Sequence, residues 1–455
     1  MKTGILNNNK GPLSRKEGFN KIPGRNLLKQ DKSDSQKISQ KIIILGGGLS
    51  GLASAEILSN KFDIEVYEAA PFLGGLASTF EHNSKRIPMF YHHIIRSNTN
   101  TIDYLNRFVK NKLNWKKINV AIGTNGRINT INKVIPFSKF KYLNLYEKFR
   151  FGIFGLYTIF LLNPSNLNEG LDAETWLNRF AGKSVTKKIF YHLYSRNKFN
   201  IPLKRISAKQ FANRLYEKEV QDDFAFPETS YQPMIDGLKE KIEENNGKIK
   251  INSKISEINL KEKYIIESNK KITYDLLINT IPFEVFIKIA KGIPEDYKNQ
   301  LAKVKYCPGV GLVFGTQEFL DKNNYWINLF NEDMHIIMQH SILCDIYGDK
   351  VSWCLRYGGS EEDLNLSEEE IKSKYLAVLK KYFPKAKINW VKVMRTKYAE
   401  PIYDIDYHKY MPDYRTPING LYFSGIQLTY PKIRNMNVAL ESGIKTAKII
   451  LEDHQ

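Results

Sequence analysis

Lys41-Ile-Ile-Ile-Leu45, followed by Gly46-Gly-Gly-Leu-Ser-Gly51, is the stretch that decides the fold. Four consecutive apolar residues, Ile42 to Leu45, suit a parallel strand buried on both faces. The glycines then turn the chain, and Leu49, Leu52, Ala53 and Ile57 share one face of a following helix. A second strand is expected at Ile64 to Glu68, which completes strand, glycine-rich turn, helix and strand within one βαβ unit. In such a unit Gly46 permits the tight turn, Gly48 lets a pyrophosphate approach the backbone, and Gly51 lets helix and strand pack closely. The helix opening at Leu49 and Ser50 turns unsatisfied N–H groups and the positive end of its dipole toward that pyrophosphate. Glu68 falls 20 residues after Gly48, where a carboxylate can accept hydrogen bonds from ribose hydroxyls. The reading is a dinucleotide site. A second doublet, Gly74-Gly75 with Leu76 behind it, lets another backbone segment close over the phosphates, which suits an elongated FAD.

Farther from this unit the sequence is less explicit. Residues 1–40 are polar and rich in Asn, Lys, Ser and Gly, and read as a flexible extension without the apolar core of a secretory signal. Residues 102–224 read as mostly helical and aromatic-rich. Met234 to Asn245 suits a helix closed by Gly247, and strands are expected near Ile249, Ile255, Tyr264–Glu267 and Ile272–Thr280. The pair Ser367 and Glu370 forms a capping box for a helix that ends before Pro384. Leu421 to Gly425 reads as a final strand, and the helical spacing from Met436 to Ala447 as a final helix.

Composition sets the outer limits. The chain has 455 residues, 42% of them hydrophobic, enough for a large core, which excludes a disordered tail or a small disulfide-stapled module. Cys307, Cys344 and Cys354 show no Cys-x-x-Cys spacing, so a reducing, cytoplasmic compartment is expected. Against 48 Asp and Glu stand 68 Lys and Arg, for a net charge of +20. These cations form no stripe interleaved with stacking aromatics, so nucleic acid is not an expected partner; a small-molecule substrate is. No run reaches the roughly 20 apolar residues that cross a bilayer. Residues 139–162, basic and then apolar, have two readings: a helix covering the protein's own core, or contact with a membrane surface. Trp176 and the aromatics from Phe149 to Phe160 are expected in the core. His92 and His93 are adjacent and point to opposite faces of an extended segment, so no metal site is expected there. No Gly-x-Ser-x-Gly elbow or Walker loop is present, so any reactive group comes with the cofactor.

The segment Gly46–Ser78, with Glu68 and the Gly74-Gly75 doublet, resembles the amine oxidase and protoporphyrinogen oxidase superfamily of FAD flavoproteins. That group extends to carotenoid-type desaturases and, more distantly, UDP-galactopyranose mutase. The likeness continues through Phe90–Asn98, Glu174–Gly182, Lys198-Phe199 and Asn435–Gly443, covering roughly residues 41–450. It implies an α/β fold: a discontinuous Rossmann-like FAD domain (41–100, 230–290 and 396–455) and an interposed helical and mixed-sheet substrate domain (101–229 and 291–395). It further implies that the strand containing Ile255 reads the adenine, and that Gly425, Met436 and Asn437 hold the pyrophosphate and the flavin. Many relatives carry an acid directly after the glycine of the last strand; here Ile426 and Gln427 follow Gly425. His93 is the candidate for the flavin face, by similarity to a segment of the mutase, and Tyr430 the candidate for the substrate pocket. The leading expectation is an FAD-dependent oxidoreductase that takes a hydride from a C–N or C–C bond. A redox-neutral nucleotide-sugar mutase is the alternative; a membrane-surface enzyme acting on an apolar substrate such as a porphyrin or polyene, resting on residues 139–162, is a third reading, and a non-catalytic flavin-binding protein a fourth. Substrate, electron acceptor and oligomeric state are not legible.

Overall fold

The computed structural model describes residues 38–109, 113–217 and 222–454; nearly all of the expected N-terminal extension lies outside them. A five-stranded parallel sheet is built from segments far apart in sequence: β1 (Lys41–Leu45), β2 (Asp63–Tyr67), β3 (Lys248–Lys250), β4 (Leu276–Asn279) and β5 (Leu421–Phe423), in the order β5-β4-β1-β2-β3. Central β1 pairs Ile43 with Glu65 of β2 on one side and with Leu277 of β4 on the other. Ile42, Ile43 and Ile44 have no exposed surface, which is why this strand reads as an unbroken apolar run.

Two helices lie together at the sheet: α1 (Leu49–Leu58), directly after the glycine turn, and the C-terminal helix Met436–Asp453. They approach closely because one is glycine where they meet. A Cβ on Gly443 would stand 2.3 Å from the Ser50 carbonyl oxygen, and the Ser54 hydroxyl donates to the Gly443 carbonyl at 3.0 Å. Ser50 and Ser424 hydroxyls meet at 2.7 Å and tie the start of the chain to its end.

The remaining strands form a seven-stranded sheet, a four-stranded sheet and two two-stranded ones, 79–82 with 85–88 and 116–117 with 223–224. The largest is ordered 388–401, 306–316, 350–356, 336–338, 326–329, 120–124, 127–130, antiparallel except where 326–329 meets 120–124. Here the structure departs from several expectations. Residues 102–224 are mostly helical, as expected, but they also supply the unforeseen strands 116–117, 120–124 and 127–130. The expected strand Ile272–Thr280 is two strands in different sheets, broken at Tyr274-Asp275, where the Asp275 carboxylate accepts from the Lys41 N–H at 2.7 Å. Strand Ile388–Pro401 runs through the expected boundary at residues 395 and 396.

Other elements follow their local chemistry. Helix Glu368–Tyr382 opens on Ser367 and Glu370, with both reciprocal capping-box hydrogen bonds made. Helix Leu145–Phe160 has its own capping box in Asn144 and Glu147. Among the described residues no helix is long and apolar enough to cross a membrane. Trp176 is buried, as expected, but Phe149 and Phe160 are not: 65% and 58% of their surface is exposed.

Candidate active site

The turn after β1 is shaped by the peptide groups on each side of it. Gly46 adopts φ of 102°, and its N–H donates to the Tyr67 carbonyl at 2.8 Å. A Cβ on Gly51 would stand 2.2 Å from the Gly46 carbonyl oxygen, so only glycine lets α1 begin this close to the strand. Gly48 is the N-cap of α1 and offers no side-chain cap, leaving first-turn N–H groups without an intrahelical partner. A Cβ on Gly48 would meet nothing within 4 Å, so the space before it is open.

Glu68 sits at the end of β2. Its carboxylate accepts from the Gly47 N–H at 2.7 Å and from the Ala70 N–H at 2.8 Å, which fixes both oxygens beside the turn. The second glycine pair closes onto the first: Gly74 N–H donates to the Gly47 carbonyl at 2.8 Å, and Gly74 and Gly75 both have positive φ. A cleft of about 460 Å³ results. Gly46, Gly48, Leu49, Ser50, Glu68, Gly74, Gly75 and Leu76 line it from the N-terminal segment, and Gly425 and Met436 from the C-terminal one. Ten of the thirteen expected cofactor residues therefore share one cavity.

The other three lie behind it. Gly51 is packed under the turn. The Asn437 side-chain oxygen accepts from the Asn100 and Thr101 N–H groups, fastening the helix Thr99–Phe108 to the start of the last helix. Ile255 is a core residue of the four-stranded sheet and does not line the cleft; just ahead of it, the Ser253 N–H donates to the Glu68 carbonyl at 2.8 Å.

The expectation of His93 at the flavin face is corrected by the structure, which turns its neighbour toward the cleft. His92 lines the cleft, whereas His93 stacks on Phe224, with ring centroids 4.0 Å apart. Burial, reinforced by the positive charge of Arg434, pushes the His92 imidazole down to about 3. It is neutral near pH 7, so the hydrogen bond of 2.9 Å between its Nδ1 and the Phe90 carbonyl places the proton on Nδ1 and leaves Nε2 as an acceptor. Tyr430 is also away from the cleft. Its hydroxyl lies 2.8 Å from the Ser207 hydroxyl and donates to Glu169 at 2.8 Å.

Several cleft residues were not singled out from sequence. Gln427, foreseen only as following Gly425, lines the cleft, and its amide donates to the Ser424 carbonyl at 3.0 Å. Arg434 precedes Asn435, the N-cap of the last helix, whose side chain accepts from the Val438 N–H at 3.0 Å; a basic residue directly before an N-cap is the signal that could have found it. Arg434 belongs to a buried charge cluster. Glu400, 1% exposed, faces Lys198, with Arg434 at 3.6 Å and Arg214 at 3.7 Å. Three cations share one carboxylate. Burial and the two guanidinium groups hold the Lys198 ammonium down to about 8 against the pull of Glu400, while the three cations keep the Glu400 carboxyl below its usual range despite its burial.

The cleft has the parts that FAD needs: an open glycine turn at a helix N-terminus, a carboxylate at the end of the second strand, and a second helix N-terminus opposite. Comparison with known proteins agrees. The family model for flavin containing amine oxidoreductase matches residues 49–451. The chloroplastic and chromoplastic 15-cis-phytoene desaturase of Solanum lycopersicum is 24% identical over 477 residues, covering 91% of this chain and 78% of that protein. Among solved structures, putrescine oxidase bound to putrescine superposes with a TM-score of 0.71 at 16% identity, covering 92% of this chain and 100% of that one. Reduced UDP-galactopyranose mutase superposes with a TM-score of 0.73 at 15% identity, covering 91% and 94%. At such identities the structural likenesses speak to the fold. The chain thus belongs to the flavin containing amine oxidoreductase family, as an FAD-dependent oxidoreductase at the level of that family.

Proposed function

We propose that this protein oxidises a C–N or C–C bond of a small-molecule substrate held between the cleft and the helical segments of residues 173–216. When bound, FAD supplies the acceptor for the two electrons, taken up as a hydride at N5. Convergence of ten expected cofactor residues from segments nearly 400 positions apart on one cavity is the observation that carries this reading.

The chain's own part is binding, orientation and electrostatics. Glu68 and the turn Gly46–Gly48 hold the ribose and pyrophosphate end. Met89, Phe90, Tyr306 and Tyr398 line the cavity along with His92 and exclude water from it. Neutral His92 presents a hydrogen-bond acceptor and no charge. Arg434 and the first turn of the last helix bring positive potential to whatever negative charge develops on the bound group.

The purified protein is expected to be yellow, and anaerobic mixing with amines, porphyrinogens or polyenes to bleach the flavin for one of these classes. A colourless preparation that takes up no added FAD would overturn the reading. The mutase alternative drew on a flavin-facing His93, and nothing about a His93 stacked on Phe224 favours it. Turnover that needs pre-reduced flavin and consumes no electron acceptor would restore it.

A further inference from the structure

Helix Leu145–Phe160, here α2, is apolar on two opposite faces, one buried against the fold and the other largely exposed. Inward, Phe154 packs edge-on against Trp176 and Phe190, with ring centroids 5.7 and 5.3 Å apart, and Tyr157 stacks on Phe180 at 4.3 Å. Outward, Leu145, Phe149, Ile153 and Leu156 recur at helical spacing and are 40% to 84% exposed. The short helix Val134–Ser138 is fastened alongside: Phe137 meets Phe151 at 5.3 Å, and the Lys148 ammonium donates to the Ser138 carbonyl at 2.6 Å. It adds Val134 and Ile135, 86% and 73% exposed. Most of the large exposed apolar side chains among the described residues fall on this one patch, and contiguous apolar patches of this kind mark interaction surfaces rather than ordinary exposure.

Charge decides between occupants. Residues 127–162 carry Arg127, Lys133, Lys139, Lys141, Lys148 and Arg150 against the single acid Glu147. Glu147 is buried and bonded to Lys188 at 2.7 Å, so it does not offset them at the surface. A second copy of the same face would bring like charges together, whereas an anionic lipid surface neutralises them. At 16 residues α2 is about 24 Å long, too short to cross a bilayer and suited to lying in its interface. We infer that α2 and Val134–Ser138 dock the protein on membranes containing anionic lipid, with the apolar stripe inserted among the acyl chains and the lysines at the headgroups. This goes beyond the proposed reaction and does not depend on it.

The test is co-sedimentation of the full-length flavoprotein with phosphatidylcholine vesicles, with and without phosphatidylglycerol. The protein is expected to pellet with the anionic vesicles and to be released by high salt. Phe149→Asp with Leu156→Asp should cut vesicle binding by at least about tenfold, and Lys139→Glu with Lys141→Glu should remove the preference for anionic lipid. Both variants change exposed side chains, so flavin absorbance and melting temperature should match the parent. Should the aspartates disturb folding, Leu156→Trp gives an independent reading: its fluorescence should be quenched by bromine-labelled acyl chains. Equal recovery in the supernatant with and without anionic vesicles would overturn the inference. So would unchanged binding by the aspartate variant, absence of quenching, or a dimer that the aspartates split without affecting vesicle binding.

Discussion

Glu68 joins two tasks in one carboxylate: it holds the glycine turn through the Gly47 and Ala70 N–H groups, and it presents charge to the cleft. Glu68→Ala is expected to weaken FAD binding by about 1.5–3 kcal/mol, roughly ten- to hundredfold, in a fluorescence titration. Glu400 poses a different problem, because Lys198, Arg214 and Arg434 all converge on its one buried carboxylate. Removing one partner from such a group leaves buried charge uncompensated, so Glu400→Gln should cost about 3 kcal/mol near pH 6 in denaturant unfolding. The cost should shrink above about pH 8, where Lys198 has shed its proton in the parent protein too. Whether His92 or His93 faces the cleft was not legible in the sequence. Adjacent residues of an extended segment alternate sides, and only the tertiary register says which side is which.

At the scale of elements, the last helix contributes to the site through its first turn. Asn435 caps it, and Arg434, Asn435 and Met436 all line the cleft. Asn435→Ala should lower stability by about 1 kcal/mol, seen as a drop in melting temperature, and should also loosen the flavin, seen as faster loss of colour on dilution. Elements whose cause is local were readable in advance. The β1–α1–β2 unit, the strand Tyr264–Glu267 and the capped helix Glu368–Tyr382 each carry their signal within a few residues. The seven-stranded sheet was not. Its strand Tyr306–Thr316 contains Pro308, Gly309, Gly311 and Gly315, a loop-like composition. Gly311 is explained only by its neighbour across the ladder, since a Cβ there would stand 2.2 Å from the Cys354 carbonyl oxygen. Such reasons lie in residues 40 or more positions away, beyond the reach of a local pattern.

Across the whole molecule, three buried histidines set the response to acid. Burial pushes His92, His335 and His340 down to about 3, with Arg434 adding to the effect at His92 and Arg356 at His335. The unfolded chain takes up these protons near the ordinary value of 6.5, while the folded chain refuses them until about pH 3. Their contribution is complete above pH 6.5 and is lost as the pH falls from there toward 3, at up to about 4 kcal/mol per pH unit if all three act together. Urea midpoints taken from about pH 7.5 down to about 5 should therefore fall steeply, and substituting these residues with uncharged ones that fit should flatten the trend. The sequence showed eight histidines but not which were buried.

The cleft is walled by β1 and its turn on one side and by Gly425 and the last helix on the other, with Ser50 touching Ser424 across 374 positions. On the ribosome, the first wall emerges well before the second and waits for the 374 positions between Ser50 and Ser424 to be made. Tight capture of the coenzyme is thus deferred until the last strand and helix have emerged, and nascent chains halted before residue 421 should leave the tunnel without colour.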